Sequence, residues 1–326
     1  MKKVFITGGA GYVGAVMVPH LLEQGFEVTV LDLMIYGEHV LQKHDNLNAI
    51  KGDIRDQELL KKIILGHDVV IHLACISNDP SFELNPDLGK SINLDAFRPL
   101  VEISKNSNVK RFFYASSSSV YGIKDEPNVH EETILEPLTD YSIFKAECEK
   151  ILAEYQSDDF TTTTIRPATV CGYSPRQRLD VVVNILTNLA YHNRKITVFG
   201  GNQLRPNIHI KDMALAYLSL ITAPKEKVEG QIFNAGDENF TVNELSEIVK
   251  NVIGEDVETV VSDSDDNRSY HISSQKILDI LGFKPTHSIE EAVVDLKEAF
   301  ERGLLLNPLT NEQYFNIKRM QSINLK

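Results

Sequence analysis

Tryptophan is absent from this chain of 326 residues, and cysteine occurs only three times, at Cys75, Cys148 and Cys171. An odd, widely spaced set of cysteines excludes a disulfide framework, offers no metal-ligand spacing, and points to a reducing compartment. Long apolar runs are missing too. None reaches the roughly 18 residues that a membrane-spanning helix needs. The apolar start after Lys3 is broken by glycines within a few residues, so it does not read as a signal peptide. A cytoplasmic protein without a membrane partner is expected. Positive charge is scarce, with 33 Lys and Arg against 46 Asp and Glu and a formal net charge of −13. Nucleic-acid binding needs clustered basic residues and is therefore not expected. A small anionic ligand would need a local island of arginine. No low-complexity tract or internal repeat is present, and the length suits a main domain with a smaller lobe.

What is present is a regular alternation. Short β-branched runs at Val4–Thr7, Val28–Asp32, Asn48–Lys51, Asp68–Ala74, Arg111–Ser116 and Thr161–Arg166 read as strands. Helical patterns lie between them, at Tyr12–Gln24, Asp56–Leu65, Leu88–Asn106 and Tyr141–Tyr155. Repeated βα units with continuously apolar strands predict a doubly wound parallel α/β sheet buried on both faces. Beyond Thr169 the pattern is less regular, with helices alternating with loops rich in Arg, Asn, Gly and Pro. No linker marks a boundary, so the second lobe is expected to interleave with the first.

The first strand runs into Gly8-Gly9-Ala10-Gly11-Tyr12-Val13-Gly14. Glycines at 8, 11 and 14 between a strand and a helix let backbone N–H groups approach a pyrophosphate at the positive helix end. Asp32 ends the second strand, 18 residues after Gly14. A carboxylate there accepts hydrogen bonds from a ribose diol and repels a 2′-phosphate, which favours NAD over NADP.

A second constellation lies downstream. Tyr141 and Lys145 are spaced i, i+4 and share a helix face. An ammonium close to the phenol is expected to lower its pKa, so that Tyr141 can take a proton from a hydroxyl during hydride transfer. Tyr114 to Gly122 contains four consecutive serines, Ser116 to Ser119, at a strand end, and a hydroxyl there can bond the reacting oxygen.

With these motifs together, the chain resembles the extended short-chain dehydrogenase/reductase superfamily over roughly residues 2 to 300, and within it the nucleotide-sugar epimerases and dehydratases. The resemblance implies a Rossmann domain over 1–170, with segments near 206–240 returning to it, and a substrate-binding lobe and tail over 171–326. It implies Ser117, Tyr141 and Lys145 as catalytic residues. For NAD it implies Gly8, Gly11, Tyr12, Val13 and Gly14, with Asp32 at the ribose. Asp53 and Ile54 would meet the adenine. Leu73, Ala74, Cys75, Ser116, Pro167, Tyr141 and Lys145 would complete the cofactor set.

The expected partner is a nucleotide-diphosphate sugar of the UDP-hexose kind, held by Asn78, Ser117, Ser118 and Thr169. Arg205 and Arg268 match the family's diphosphate clamp, and Arg176 and Arg178 are further candidates, since a planar guanidinium suits phosphate oxygens. Relatives also imply a homodimer through Leu88–Asn106 and Tyr141–Tyr155, where Ile143, Phe144, Cys148 and Ile151 exceed one core-facing stripe. No metal is expected, because the histidines lack ligand spacing. Thr169 stands where common epimerases carry Asn, and Ser118-Ser119 where 4,6-dehydratases carry Asp-Glu. The reaction implied first is 4-epimerisation through a 4-keto sugar. A net 4-dehydrogenase is the alternative, a 4,6-dehydratase follows, and a non-catalytic NAD sensor is the reading from a different class.

Overall fold

The computed structural model describes residues 2–263 and 269–326. The first half builds β1 (Lys3–Thr7), α1 (Gly14–Glu23), β2 (Glu27–Asp32), β3 (Leu47–Lys51), α2 (Gln57–Ile63) and β4 (Val69–His72). Then come α3 (Asp79–Glu83), α4 (Pro86–Lys90), α5 (Phe97–Asn106), β5 (Arg111–Ala115), α6 (Asp140–Ala153) and β6 (Thr161–Pro167). The second half contributes β7 (Thr169–Cys171), α7 (Val182–Asn193), β8 (Lys195–Phe199), β9 (Leu204–His209), α8 (Ile210–Thr222) and α9 (Lys225–Val228). It ends with β10 (Gln231–Ala235), β11 (Asn239–Thr241), α10 (Val242–Ile253), β12 (Glu258–Ser262), α11 (Gln275–Leu281), α12 (Ile289–Glu301) and α13 (Asn316–Ser322).

Seven strands form one parallel sheet in the order β10-β6-β5-β4-β1-β2-β3. Every residue of β4 is buried, as are Val4 to Thr7 of β1. That is the mark of a sheet covered on both faces. One covering layer contains α1 and α8 over Ile6, Val30, Met17 and Tyr217. The other contains α2, α5 and α6 over Phe5, Val70, Phe97 and Phe112. The second lobe is a three-stranded sheet, β11-β9-β7, and the pair β12-β8, packed with α7, α10 and α12 around Val183, Leu245 and Val293. Among the described residues no helix is long and apolar enough to cross a membrane.

Two local expectations need correction. The helix expected over Leu88–Asn106 is not continuous: α4 gives way to a π-helical turn, Ser91–Asp95, before α5. The wider turn points buried Asn93 inward, where its side chain accepts from the Ile76 N–H (2.8 Å) and donates to the Ile76 carbonyl (2.9 Å). The interruption thus braces the loop after β4, in keeping with the association of π turns with functional sites. The second correction concerns the apolar excess on α6. Phe144 stands edge-on to Phe82 of α3 at 5.6 Å, and Cys148 is fully buried with its thiol on the Asn93 carbonyl. The sequence reading had not placed α3, which meets Phe144 within the subunit, while Ile143 and Ile151 remain partly exposed. The exposed seam between α5 and α6 is polar instead, with Arg98 on Glu154 (2.8 Å) and Tyr155 on Glu102 (2.7 Å).

Candidate active site and cofactor cleft

The glycine loop is shaped by close backbone approaches. Gly8 has φ +75° and a Cβ there would lie 2.6 Å from the Ala74 nitrogen. A Cβ at Gly14 would lie 2.4 Å from the Gly9 carbonyl oxygen, so α1 can start here only with glycine. Gly11 differs, since its Cβ would meet only the Gly8 carbonyl, at 3.0 Å. The α1 N-terminus has no side-chain cap, and the Ala15 and Val16 N–H groups bond the Gly11 and Val13 carbonyls at 2.9 and 3.1 Å. Asp32 closes the cradle, accepting from the Ala10 N–H (3.0 Å) and the Met34 N–H (2.8 Å). Burial pushes its carboxyl pKa up, against the pull of these donors and of Arg176. An uncapped helix start, an open glycine wall and a buried carboxylate at the next strand end fit the pyrophosphate and ribose of a dinucleotide.

The loop opens on a cavity of about 400 Å³. Every residue expected to bind the cofactor lies on its wall: Gly8, Gly11 to Gly14 without exception among those named, Asp32, Asp53, Ile54, Leu73 to Cys75, Ser116, Tyr141, Lys145 and Pro167. The Asp53 carboxylate is already engaged by Arg55 at 2.6 Å. Burial opposes its charge, but Arg55 prevails and holds it below the ordinary carboxylate range. Tyr12 ties the loop to the second lobe: its hydroxyl donates to the Gly172 carbonyl (2.7 Å) and accepts from Asn184 (2.9 Å).

At the other end stand Ser117, Tyr141 and Lys145. Helix α6 begins on a capping box in which Thr139 and Ser142 satisfy each other's backbone N–H. This start places Tyr141 in the first turn and Lys145 one turn on. The Lys145 ammonium donates to the Ala115 carbonyl (2.6 Å) and lies 5.8 Å from the Tyr141 ring centre. The expectation that this ammonium lowers the tyrosine pKa needs revision. Burial dominates and raises it, helped by Cys75 and Asp79, while Arg178 and Ser117 act in the other direction. Burial of the phenol outweighs the cations near it, and among them Arg178 is the one that pulls its pKa down.

Beneath these residues runs a buried polar network. Glu149, one further turn along α6, accepts from Ser116 and from Arg166, whose Nε and Nη2 donate at 3.0 and 2.6 Å. The remaining guanidinium nitrogen donates to the Tyr121 hydroxyl (2.8 Å) and the Glu131 carbonyl (3.0 Å). Helix α6 is thereby bolted to the ends of β5 and β6. His72 is another structural residue: it bonds Thr7 at 2.6 Å, and burial, with Lys145 adding to it, pushes its pKa down to about 3.

The expected substrate residues divide three ways. Asn78, Ser117, Ser118, Thr169, Arg176 and Arg178 line the same cavity. Arg178 donates to Asp180 (2.6 Å) and keeps a buried Nη2 without a hydrogen-bond partner. Arg205 is not on the cavity wall; its guanidinium lies over the ring of Tyr270, which is. Arg268 lies outside the described residues. Sequence reasoning missed Tyr36, Tyr270 and, from the last segment, Asn316, Met320 and Leu325, all of which line the cavity. The tail mixes polar and apolar residues without a periodic pattern, so no local signal singles these residues out.

Comparison with known proteins agrees with this geometry. A sequence model described as the NAD dependent epimerase/dehydratase family matches residues 4–236. The chain is 28% identical to a UDP-glucose 4-epimerase of Lactobacillus helveticus, over 90% of this chain and 94% of that one. It is 29% identical to a dTDP-D-glucose 4,6-dehydratase of Dictyostelium discoideum, over 78% of this chain and 62% of that one. Among solved structures, the UDP-glucose 4-epimerase of Thermotoga maritima with UDP-glucose superposes with a TM-score of 0.82 at 26% identity, covering 93% of this chain and 100% of that one.

Proposed function

Because the chain belongs to the NAD dependent epimerase/dehydratase family, we propose that it inverts the 4-hydroxyl of a nucleotide-diphosphate sugar, a UDP-hexose being the type substrate, through a transient 4-keto sugar. When bound, NAD supplies reversible hydride transfer at the sugar carbon. The residues that would hold it are the glycine loop, Asp32, Ile54 and Lys145. One observation carries the reading: Ser117, Tyr141 and Lys145 line the same cavity as Gly11 and Asp32. Tyr141 takes the hydroxyl proton as the carbon becomes a carbonyl and returns it when the alcohol re-forms. Ser117 bonds the reacting oxygen and orients the phenol. Arg178 supplies positive charge where the phenolate forms. The hydride and the proton both go back to the sugar, so substrate and product have the same composition. Inversion requires the keto sugar to turn over inside the cavity, with its diphosphate still held by arginine.

The same side chains would serve a net 4-dehydrogenase. A 4,6-dehydratase is less well supported, because Ser118-Ser119 provides no carboxylic acid or base next to Ser117. Incubating the NAD-loaded protein with UDP-glucose and UDP-N-acetylglucosamine, and resolving products by chromatography and mass spectrometry, tests the proposal. The expected result is an epimer of unchanged mass with no accumulation of reduced cofactor. A keto product with stoichiometric reduced cofactor would replace the epimerase by the dehydrogenase. Loss of 18 mass units would replace it by the dehydratase.

A further inference from the structure

The segment that follows α12 has no place in the mechanism above, yet it returns across the molecule to the cofactor cleft. Its hub is Asn316, only 4% exposed. The Asn316 carbonyl oxygen accepts from the Tyr36 hydroxyl (2.9 Å) and from Arg176 (2.5 Å). Its amide nitrogen donates to Ser77 (2.9 Å), and its backbone N–H donates to Asp180 (2.9 Å). One residue thus joins the loop after β2, the loop after β4 and the loop between β7 and α7. These three loops flank the glycine cradle. Further along, Met320 and Leu325 line the same cavity and pack in the same apolar cluster as Ile54. Arg319 pins the outer side, donating to the Ile35 carbonyl (2.6 Å) and to Glu312 (2.8 Å).

A second observation points to a ligand beneath this segment. Arg176 is 4% exposed and stacked on Tyr36 at 3.5 Å, yet its Nε has no hydrogen-bond partner. Burying a guanidinium with an open N–H is costly, and an anionic group in the adjoining cavity offsets that cost.

We infer that Asn316–Leu325 is part of the cofactor site and acts as its latch, with Asn316 the positioning residue that holds it shut. The dinucleotide binds under the bonds that Asn316 makes to the three loops. Its entry and release require those bonds to open. The inference concerns cofactor binding alone and does not depend on which sugar reaction the enzyme performs.

The test uses the full chain with NAD and no sugar. Release of NAD is timed after mixing with an excess of a competing scavenger, and amide hydrogen exchange of residues 312–325 is measured with and without NAD. Asn316→Ala removes three side-chain hydrogen bonds and is expected to speed release by about ten- to a hundredfold, taking each bond at its ordinary net strength. Arg319→Ala, which alters no residue on the cavity wall, is expected to speed release several-fold while the NAD-free protein still unfolds in one cooperative transition. In the unaltered protein, NAD is expected to slow exchange across 312–325. Wild-type release from both variants, or exchange across 312–325 that ignores NAD, overturns the latch. Should Asn316→Ala fail to fold, the Arg319 variant and the exchange experiment still decide it.

Discussion

The buried contact between Glu149 and Arg166 makes a quantitative prediction. Both side chains are almost completely buried, at 5% and 3% of their side-chain surface. Each carboxylate oxygen faces a guanidinium N–H: Oε1 accepts from Nε at 3.0 Å and Oε2 from Nη2 at 2.6 Å. In Glu149→Gln the amide nitrogen must therefore face a guanidinium donor whichever way the amide is turned. The substitution removes the charge and one acceptor, and leaves Arg166 buried without its counter-ion. Breaking a buried pair from one side costs about 3–5 kcal/mol. Burial opposes the Arg166 charge, and the Glu149 contacts more than offset it, which places the folded pKa of the guanidinium above its ordinary value. The assay is urea unfolding of four proteins: wild type, Glu149→Leu, Arg166→Met and the double variant, with Glu149→Gln as a fifth. The double variant should lose less stability than the two single losses added together, because neither charge is then stranded. A cost below about 1 kcal/mol for Glu149→Gln, or strict additivity in the cycle, would refute the view that this pair bolts α6 to the sheet.

Other expectations follow from the same geometry. Tyr141→Phe should lower turnover by about a hundredfold or more while NAD titration is little changed, since only the proton-transfer group is lost. Burial raises the Tyr141 pKa, so the phenol is protonated at neutral pH and turnover should climb as pH rises; Arg178→Ala, which removes a cation that pulls the phenol down, should move that climb to higher pH. The same change should raise the Michaelis constant for the nucleotide-sugar about tenfold or more, with a smaller effect for Arg205→Ala, which stands behind Tyr270. His72 is pushed down from about 6.5 to about 3 on folding; its contribution to stability is present above the higher value and is lost as pH falls toward the lower one, and His72→Gln should flatten stability between about pH 6.5 and 5 in thermal unfolding. Light scattering should give the mass of a homodimer, and a monomeric mass at micromolar concentration would remove the pairing through α5 and α6.

Legibility in the sequence tracked the range of the interactions involved. The glycine loop, Asp32 and the Tyr141–Lys145 pair lie within or beside single βα units, where local spacing determines which groups meet. Strands β1, β2, β4 and β5 were visible because a doubly covered sheet demands continuous apolar runs, whereas β6 showed as a β-branched run of threonines and β3 is a largely exposed edge strand. The interruption of the α4–α5 stretch was not visible, because Asn93 turns inward to serve a loop near Ile76 rather than any neighbour in sequence. Helix α3 was hidden because Asp79–Glu83 is short and takes its stability from packing Phe82 on Phe144. Asn316 was beyond reach for the same reason in extreme form: its partners Tyr36, Ser77 and Arg176 are at least 140 positions away. The pKa of Tyr141 was misjudged because i, i+4 spacing brings an ammonium near the phenol but does not show how deeply the phenol is buried.

The seventh strand bears on how the protein is made. Strand β10 completes the large sheet beside β6, although residues 168–230, including three strands of the second lobe, come between them in the chain. During synthesis β6 therefore waits with an open hydrogen-bonding edge until Ala235 has left the ribosome. That edge is Thr161 to Ile165, a β-branched run without charge and the kind of strand that pairs with a neighbouring chain when left uncovered. Refolding from denaturant faces the same delay, since a non-local parallel pairing forms late and slowly. Slow translation upstream of residue 235, or high protein concentration during refolding, should thus favour aggregation through β6, and covering it early is a task for a chaperone.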